Sequence, residues 1–180
     1  MKVGDNGSSD TVECTAITHM SSFVYFVGQT QLLDIDSPTS SNLFVAKAQA
    51  STLTLVWAVG WGGLDLNEIA NDLHVTQDEG YVYAAGHSFK FTQDAGGDEN
   101  PVLAKFSGSD GSHVWSYGIG GTNAGRLTGV SGPRSDTHVV AVGYSTIWGD
   151  GTNDRAFAMS VSNTGTLQWH MKHGVDAQVW

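Results

Sequence analysis

The chain has 180 residues, 40% of them hydrophobic, with 23 Gly, 6 Trp and a net charge of −10, so it can bury a core and is suited to many short strands joined by glycine-bearing turns. Eighteen acidic against eight basic residues, with no basic run, exclude a phosphate-backbone binder and argue against anionic membranes. A single cysteine, Cys14, excludes an intrachain disulfide framework and a cysteine zinc cluster, and no apolar stretch reaches membrane-spanning length.

In chain order, the first β-prone segment covers residues 11–17. Next come Val24-Tyr25-Phe26-Val27-Gly28, Leu43-Phe44-Val45-Ala46-Lys47 and a segment around Trp57. The order then starts again with 69–75, Val82-Tyr83-Ala84-Ala85-Gly86, Pro101-Val102-Leu103-Ala104-Lys105 and Trp115. A third pass gives 127–131, Val139-Val140-Ala141-Val142-Gly143, Arg155-Ala156-Phe157-Ala158-Met159 and Trp169. The glycines of these segments lie 58 and 57 residues apart, and the alanines (46, 104, 158) and tryptophans 58 and 54 apart.

Three landmarks keeping one period define an internal repeat. The segments have strand length and are rich in Val, Tyr, Phe and Trp; the apolar pattern over 64–73 is assigned to a strand because the repeat already places one there. Turn signals such as Gln77-Asp78-Glu79-Gly80, Ser109-Asp110-Gly111 and Asn163-Thr164-Gly165 separate them. The expected fold is all-β: three four-stranded antiparallel units of about 57 residues, over 4–61, 62–119 and 120–174, acting as β-propeller blades. A β-solenoid is the runner-up. Propellers close with at least about four blades, so the chain is expected to be part of a larger ring: a piece of a longer protein, or, as the second choice, one half of a head-to-tail dimer.

These landmarks resemble the bacterial-type β-propeller repeat written SBBP, in Asn42 to Lys47, Trp57, Gly62-Gly63 and Val82 to Gly86. The likeness continues in Asn100 to Lys105, Trp115, Gly120-Gly121 and Val139 to Gly143, and then in residues 154–159, Trp169 and Gly174. Asn42 and Asn100 replace that family's Asp, and Met159 stands where Lys is expected. The resemblance implies a propeller of extracellular or cell-surface proteins and transfers no catalytic residue; residues 1–7 lack the apolar core of a secretory signal. A second segment, 158–169, is similar to the tryptophan-docking repeat of quinoprotein dehydrogenases, which implies an axial quinone cofactor.

Candidate sites are few. Trp57, Trp115 and Trp169 recur at one position and are read as packing between units. Trp61 and Trp148 lie outside that register and are candidate sugar-stacking residues. Asp150, Asn153 and Asp154 put hard oxygens close together in one loop and are candidate calcium ligands, although an Asx-stabilised turn explains them as well. The acidic segments 34–36 and 94–100 would add to an acidic rim, and Asn42, Asn100 and Asp154 are read as caps at strand entry. His170 and His173 fall on opposite faces of a strand and make no metal pair. The expectation is a non-catalytic scaffold or binding module without a cofactor, calcium aside. Its partners would be a protein, a glycan or further blades or copies, with no nucleic acid and no membrane insertion. A quinoprotein-like oxidoreductase and a glycan-binding lectin are the alternatives.

Overall fold

The structure, a computed structural model, describes residues 12–31, 41–62, 67–89, 99–120, 125–133, 135–146 and 155–173. Its strands form three four-stranded antiparallel sheets, each a meander in which every strand pairs with the next in sequence. The first sheet holds β1 (Val12–Met20), β2 (Phe23–Thr30), β3 (Asn42–Gln49) and β4 (Leu55–Trp61). The second holds β5 (Glu68–Val75), β6 (Tyr81–Ser88), β7 (Asn100–Ser107) and β8 (His113–Gly118). The third holds β9 (Gly125–Ser131), β10 (His138–Ser145), β11 (Arg155–Ser162) and β12 (Leu167–His173). Residues 68–73 are strand, as the repeat requires, and antiparallel pairing within separate sheets replaces the solenoid alternative.

The sheets pack face to face in series. Tyr25, Val27, Val45 and Trp57 of the first meet Leu73, Val82, Ala84 and Phe106 of the second. Tyr83 and Leu103 of the second meet Leu127, Ala141, Phe157 and Met159 of the third. The middle sheet is covered on both sides, so β6 and β7 are buried almost throughout, while β1 and β12 stay largely exposed. Each fully buried large apolar side chain contributes about 1.5–3 kcal/mol, which makes these two seams the source of the fold's stability.

The repeat glycines answer to a recurrent bulge. Opposite β2, β6 and β10 the first strand of each sheet carries one extra residue, Thr15, Asn71 and Thr128. A Cβ on Gly28, Gly86 or Gly143 would lie 1.8, 1.8 or 2.1 Å from the carbonyl oxygen of Glu13, Ile69 or Arg126. Only glycine allows that approach. The bulge turns its side chain toward the next sheet: the Thr15 hydroxyl donates to the carbonyl of Ala70, and Asn71 Nδ2 donates to that of Leu127 at 2.7 Å.

Both seams also carry the same polar set. Lys47 Nζ lies 3.5 Å from Glu79 and donates to the Gly108 carbonyl at 3.2 Å. Lys105 Nζ lies 2.7 Å from Asp136 and donates to the Asn163 carbonyl at 3.1 Å. The hydroxyl of Tyr25 donates to Glu79 at 2.6 Å, and that of Tyr83 donates to Asp136. Burial, reinforced by the facing carboxylate, pushes both phenols up. Trp57 and Trp115 donate to the same carbonyls of Gly108 and Asn163, at 3.3 and 2.8 Å. Their rings lie over Gly111 and Gly165, at φ +78° and +84°, where a Cβ would meet the indoles at 2.8 and 3.1 Å.

The third unit departs from the sequence alignment in one strand. Gly28 pairs with Phe44 and Gly86 with Val102, but Gly143 pairs with Phe157. Met159 therefore occupies the place of Ala46 and Ala104, and Ser160, not Met159, occupies the place of Lys47 and Lys105. Arg155, opposite Ser145, corresponds to Asn42 opposite Thr30 and Asn100 opposite Ser88, so Asp154 is not their counterpart. A slip of one residue would turn Phe157, Met159 and Val161, all buried, out of the seam, and the face pattern overrides the shared alanine. Trp169 pairs with Ser160 as Trp57 pairs with Lys47, yet it is 43% exposed. It was expected in the core; among the described residues no following sheet covers it.

Candidate functional site

Meander topology sends every tight hairpin, β1–β2 and β3–β4 and their repeats, to one end of the sheets. The longer β2–β3 connections and the crossings between sheets leave from the other. At that loop-bearing end the seams are polar and buried. Between the first two sheets sit Thr30, Asn42, Glu68 and Ser88, all 5% exposed or less. Ser88 Oγ donates to Glu68 at 3.1 Å, and the Glu68 amide donates to the Ser41 carbonyl at 2.8 Å. Gly62 closes this cluster, since a Cβ there would fall 2.2 Å from Asn42 Oδ1 and 2.3 Å from Glu68 Oε2.

Between the second and third sheets the same end carries charge. Arg126 pairs with Glu99, and the guanidinium stands 5.8 Å from the ring centre of Tyr144. Buried His87 lies 3.8 Å from Glu99 through Nε2, while its Nδ1 has no hydrogen-bond partner among the described residues. Burial holds His87 below the ordinary histidine range; Glu99 pulls it up and Arg126 adds to the lowering. A carboxylate, a neutral imidazole and a guanidinium thus stand where the loops leave the sheets. The two pairings tie the residue that precedes β7 to β6 and β9 at this end.

The described residues of the hairpin end line two hollows among others. A cavity of about 250 Å³ is lined by Met20, His74, Val75, Gln77 and Gly132, at the ends of the first strands of all three sheets. Burial holds His74 low against the opposing effects of its hydrogen bond to Pro133 and of Asp72. A broader crevice of about 670 Å³ runs over Phe23, Lys47, Glu79, Tyr81 and Ser109. Its cation is already engaged: Lys47 lies 4.1 Å above the Phe23 ring and pairs with Glu79.

Of the residues singled out in the sequence, Trp148, Asp150, Asn153 and Asp154 lie outside the described residues. Among the described residues no cluster of three or more His, Cys, Asp or Glu side chains has metal-binding geometry. Trp61 is only 9% exposed, stacked on His113 with ring centres 5.8 Å apart. Opposite Leu43 its side chain faces the next sheet, so it offers no open ring for a sugar. Asn42 and Asn100 do begin β3 and β7, buried. The Glu68–Ser88 and His87–Glu99–Arg126 groups escaped the sequence reading because Glu68, His87 and Arg126 do not recur from unit to unit.

The chain matches no family model and no curated protein. Among solved structures 25 chains match. One, a crystal structure of a eukaryotic initiation factor, aligns over 89% of this chain and 32% of its own length, at a TM-score of 0.51 and 8% identity. That likeness is one of fold alone.

Proposed function

We propose that the three sheets are consecutive blades of a β-propeller that acts as a non-catalytic scaffold, presenting its loop-bearing end to a protein or glycan partner in an extracellular or cell-surface assembly. One observation carries the reading. The side chains that recur at the hairpin end (Lys47 and Lys105, Tyr25 and Tyr83, Trp57 and Trp115) bind each sheet to the next, and Glu68, His87 and Arg126, which have no counterpart in the other units, lie where the connections emerge. A repeat whose shared chemistry is structural and whose variable chemistry is peripheral is suited to presentation. The docking of Trp115 on Gly165 gives the quinoprotein-like segment a packing role that needs no cofactor.

Two measurements on the purified chain test this. A glycan array and affinity capture with extracellular protein libraries are expected to return a ligand that is lost when residues 90–98 are replaced by a Gly-Ser linker. A quinone absorbance band in the purified protein, or binding unaffected by that replacement, would overturn the reading.

A further inference from the structure

Glu99 ties the second and third sheets together at their loop-bearing end. Its carboxylate pairs with Arg126 of β9 and lies 3.8 Å from Nε2 of His87 on β6. Its carbonyl accepts from the Gly125 amide, across the same seam, at 2.8 Å. We infer that His87 makes this tie a pH-sensitive latch: with the imidazole neutral the two sheets close at the loop-bearing end, and protonation of the ring opens them there. The inference concerns the seam alone and stands apart from the function proposed above.

His87 is 2% exposed and stands between Ile69 of β5 and Pro101 of β7, neither of which has a polar side chain to meet it. Nδ1 has no hydrogen-bond partner among the described residues. In the neutral ring the one N–H can face Glu99, and only a lone pair is left unmet. In the imidazolium Nδ1 becomes a buried N–H without an acceptor. The charged groups acting on the ring, among the described residues, are Glu99 and Arg126, with Tyr144 of β10 beside Arg126. Glu68, on the neighbouring strand, is bonded to Ser88 in the first seam. Glu99 attracts the imidazolium but is shared with Arg126, whose guanidinium repels it, and burial penalises the charge. Parting the sheets at this end relieves each cost: water reaches Nδ1, the ring is solvated, and Arg126 can draw away.

The imidazole belongs to this place in the middle unit. The residue after the bulge-facing glycine is Gln29 in the first unit and Tyr144 in the third. Gln29 has no charge to change, and its amide donates to Glu13 at 2.7 Å. At its hairpin end the seam is held instead by Lys105, Asp136 and Tyr83, so opening at one end leaves those bonds in place. Opening and protonation are linked. A ring that titrates near 6.5 once released, and lower while closed in, stabilises the closed seam fully above pH 6.5 and progressively less as the pH falls toward the lowered value. From pH 7 to pH 5 the ratio of open to closed seam therefore rises, by at most about 25-fold.

Hydrogen exchange at the Gly125 amide, measured on the full chain and expressed as protection relative to an unstructured peptide at the same pH, reads the latch directly. That protection is expected to fall several-fold, and by no more than about 25-fold, between pH 7 and pH 5. Val130, whose amide donates to Asp72 Oδ2 at 2.8 Å further along the same seam, should keep its protection. His87→Gln, the side chain that the first unit carries at this position, should hold Gly125 protection constant over that range. Titration of the His87 ring by NMR in the unaltered chain tests the latch even if that variant fails to fold, and its midpoint is expected below pH 6.5. A midpoint at or above 6.5, Gly125 protection that does not change, an equal fall in His87→Gln, or an equal fall at Val130 would overturn the latch.

Discussion

The indole of Trp115 donates to the carbonyl of Asn163 at 2.8 Å, repeating one sheet later the 3.3 Å bond from Trp57 to Gly108. The same two carbonyls accept from Lys105 and Lys47. One backbone oxygen in each hairpin therefore gathers the main polar contacts of its seam, and the apolar faces close around it.

Trp57→Ala removes both the ring and the donor and is expected to cost about 3–5 kcal/mol. Trp57→Phe keeps much of the packing and leaves Lys47 on the Gly108 carbonyl, so its cost should be nearer 1 kcal/mol. Urea unfolding followed by circular dichroism distinguishes the two. Equal losses would mean that the hydrogen bond, not the buried ring, holds the seam.

Gly86→Ala would place a methyl 1.8 Å from the Ile69 carbonyl oxygen. Relief requires the bulge at Asn71 to open, and with it the bond to Leu127. The expected loss is about 3 kcal/mol or more, visible as a large drop in the thermal midpoint. A near-neutral substitution would show that the bulge is not held in place.

Lys105→Met strands the Asp136 carboxylate and removes a donor from Asn163. Lys105 is 3% exposed and Asp136 18%, so a loss of about 2–4 kcal/mol is expected. Adding Asp136→Asn should recover part of it, because the stranded charge is gone. A double-mutant cycle in urea measures the coupling, and additive losses would mean that the pair is not coupled.

Stability should fall on acidification. Burial pushes Glu79 up, but hydrogen bonds from Tyr25 and Ser21 and the charge of Lys47 outweigh it, so its carboxyl sits below the usual 4.5. The folded state therefore favours the anion, and that contribution is complete above pH 4.5 and declines as the pH drops through the lowered folded value. His87, held below 6.5 chiefly by burial, acts in the same direction at higher pH. The folded state favours neutral imidazole, a preference complete above pH 6.5 and lost as the pH falls toward the lowered value. Urea midpoints between pH 7 and 5 should decline less in His87→Gln than in the unaltered chain. Parallel curves would place the sensitivity elsewhere.

The period and most of the strands were legible from the sequence because they depend on local chemistry. Gly28, Gly86 and Gly143 mark a backbone approach that no other residue permits, and Val, Tyr and Phe between turn residues fit pleated, buried strands. The third unit was harder. The shared alanines aligned Ala158 with Ala46, but the buried face of β11 is set by Phe157, Met159 and Val161, and only the packed sheet reveals that one-residue difference.

By itself the sequence determined that this is an all-β repeat of four-strand units with one tryptophan at a constant place in each. Strand propensity, turn chemistry and period are properties of neighbouring residues. Tertiary structure decided that Trp57 is buried and Trp169 exposed, and that His87, Glu99 and Arg126 meet. Burial and pairing depend on what lies across a seam, and residues from 12 to more than 50 positions apart in the chain supply it.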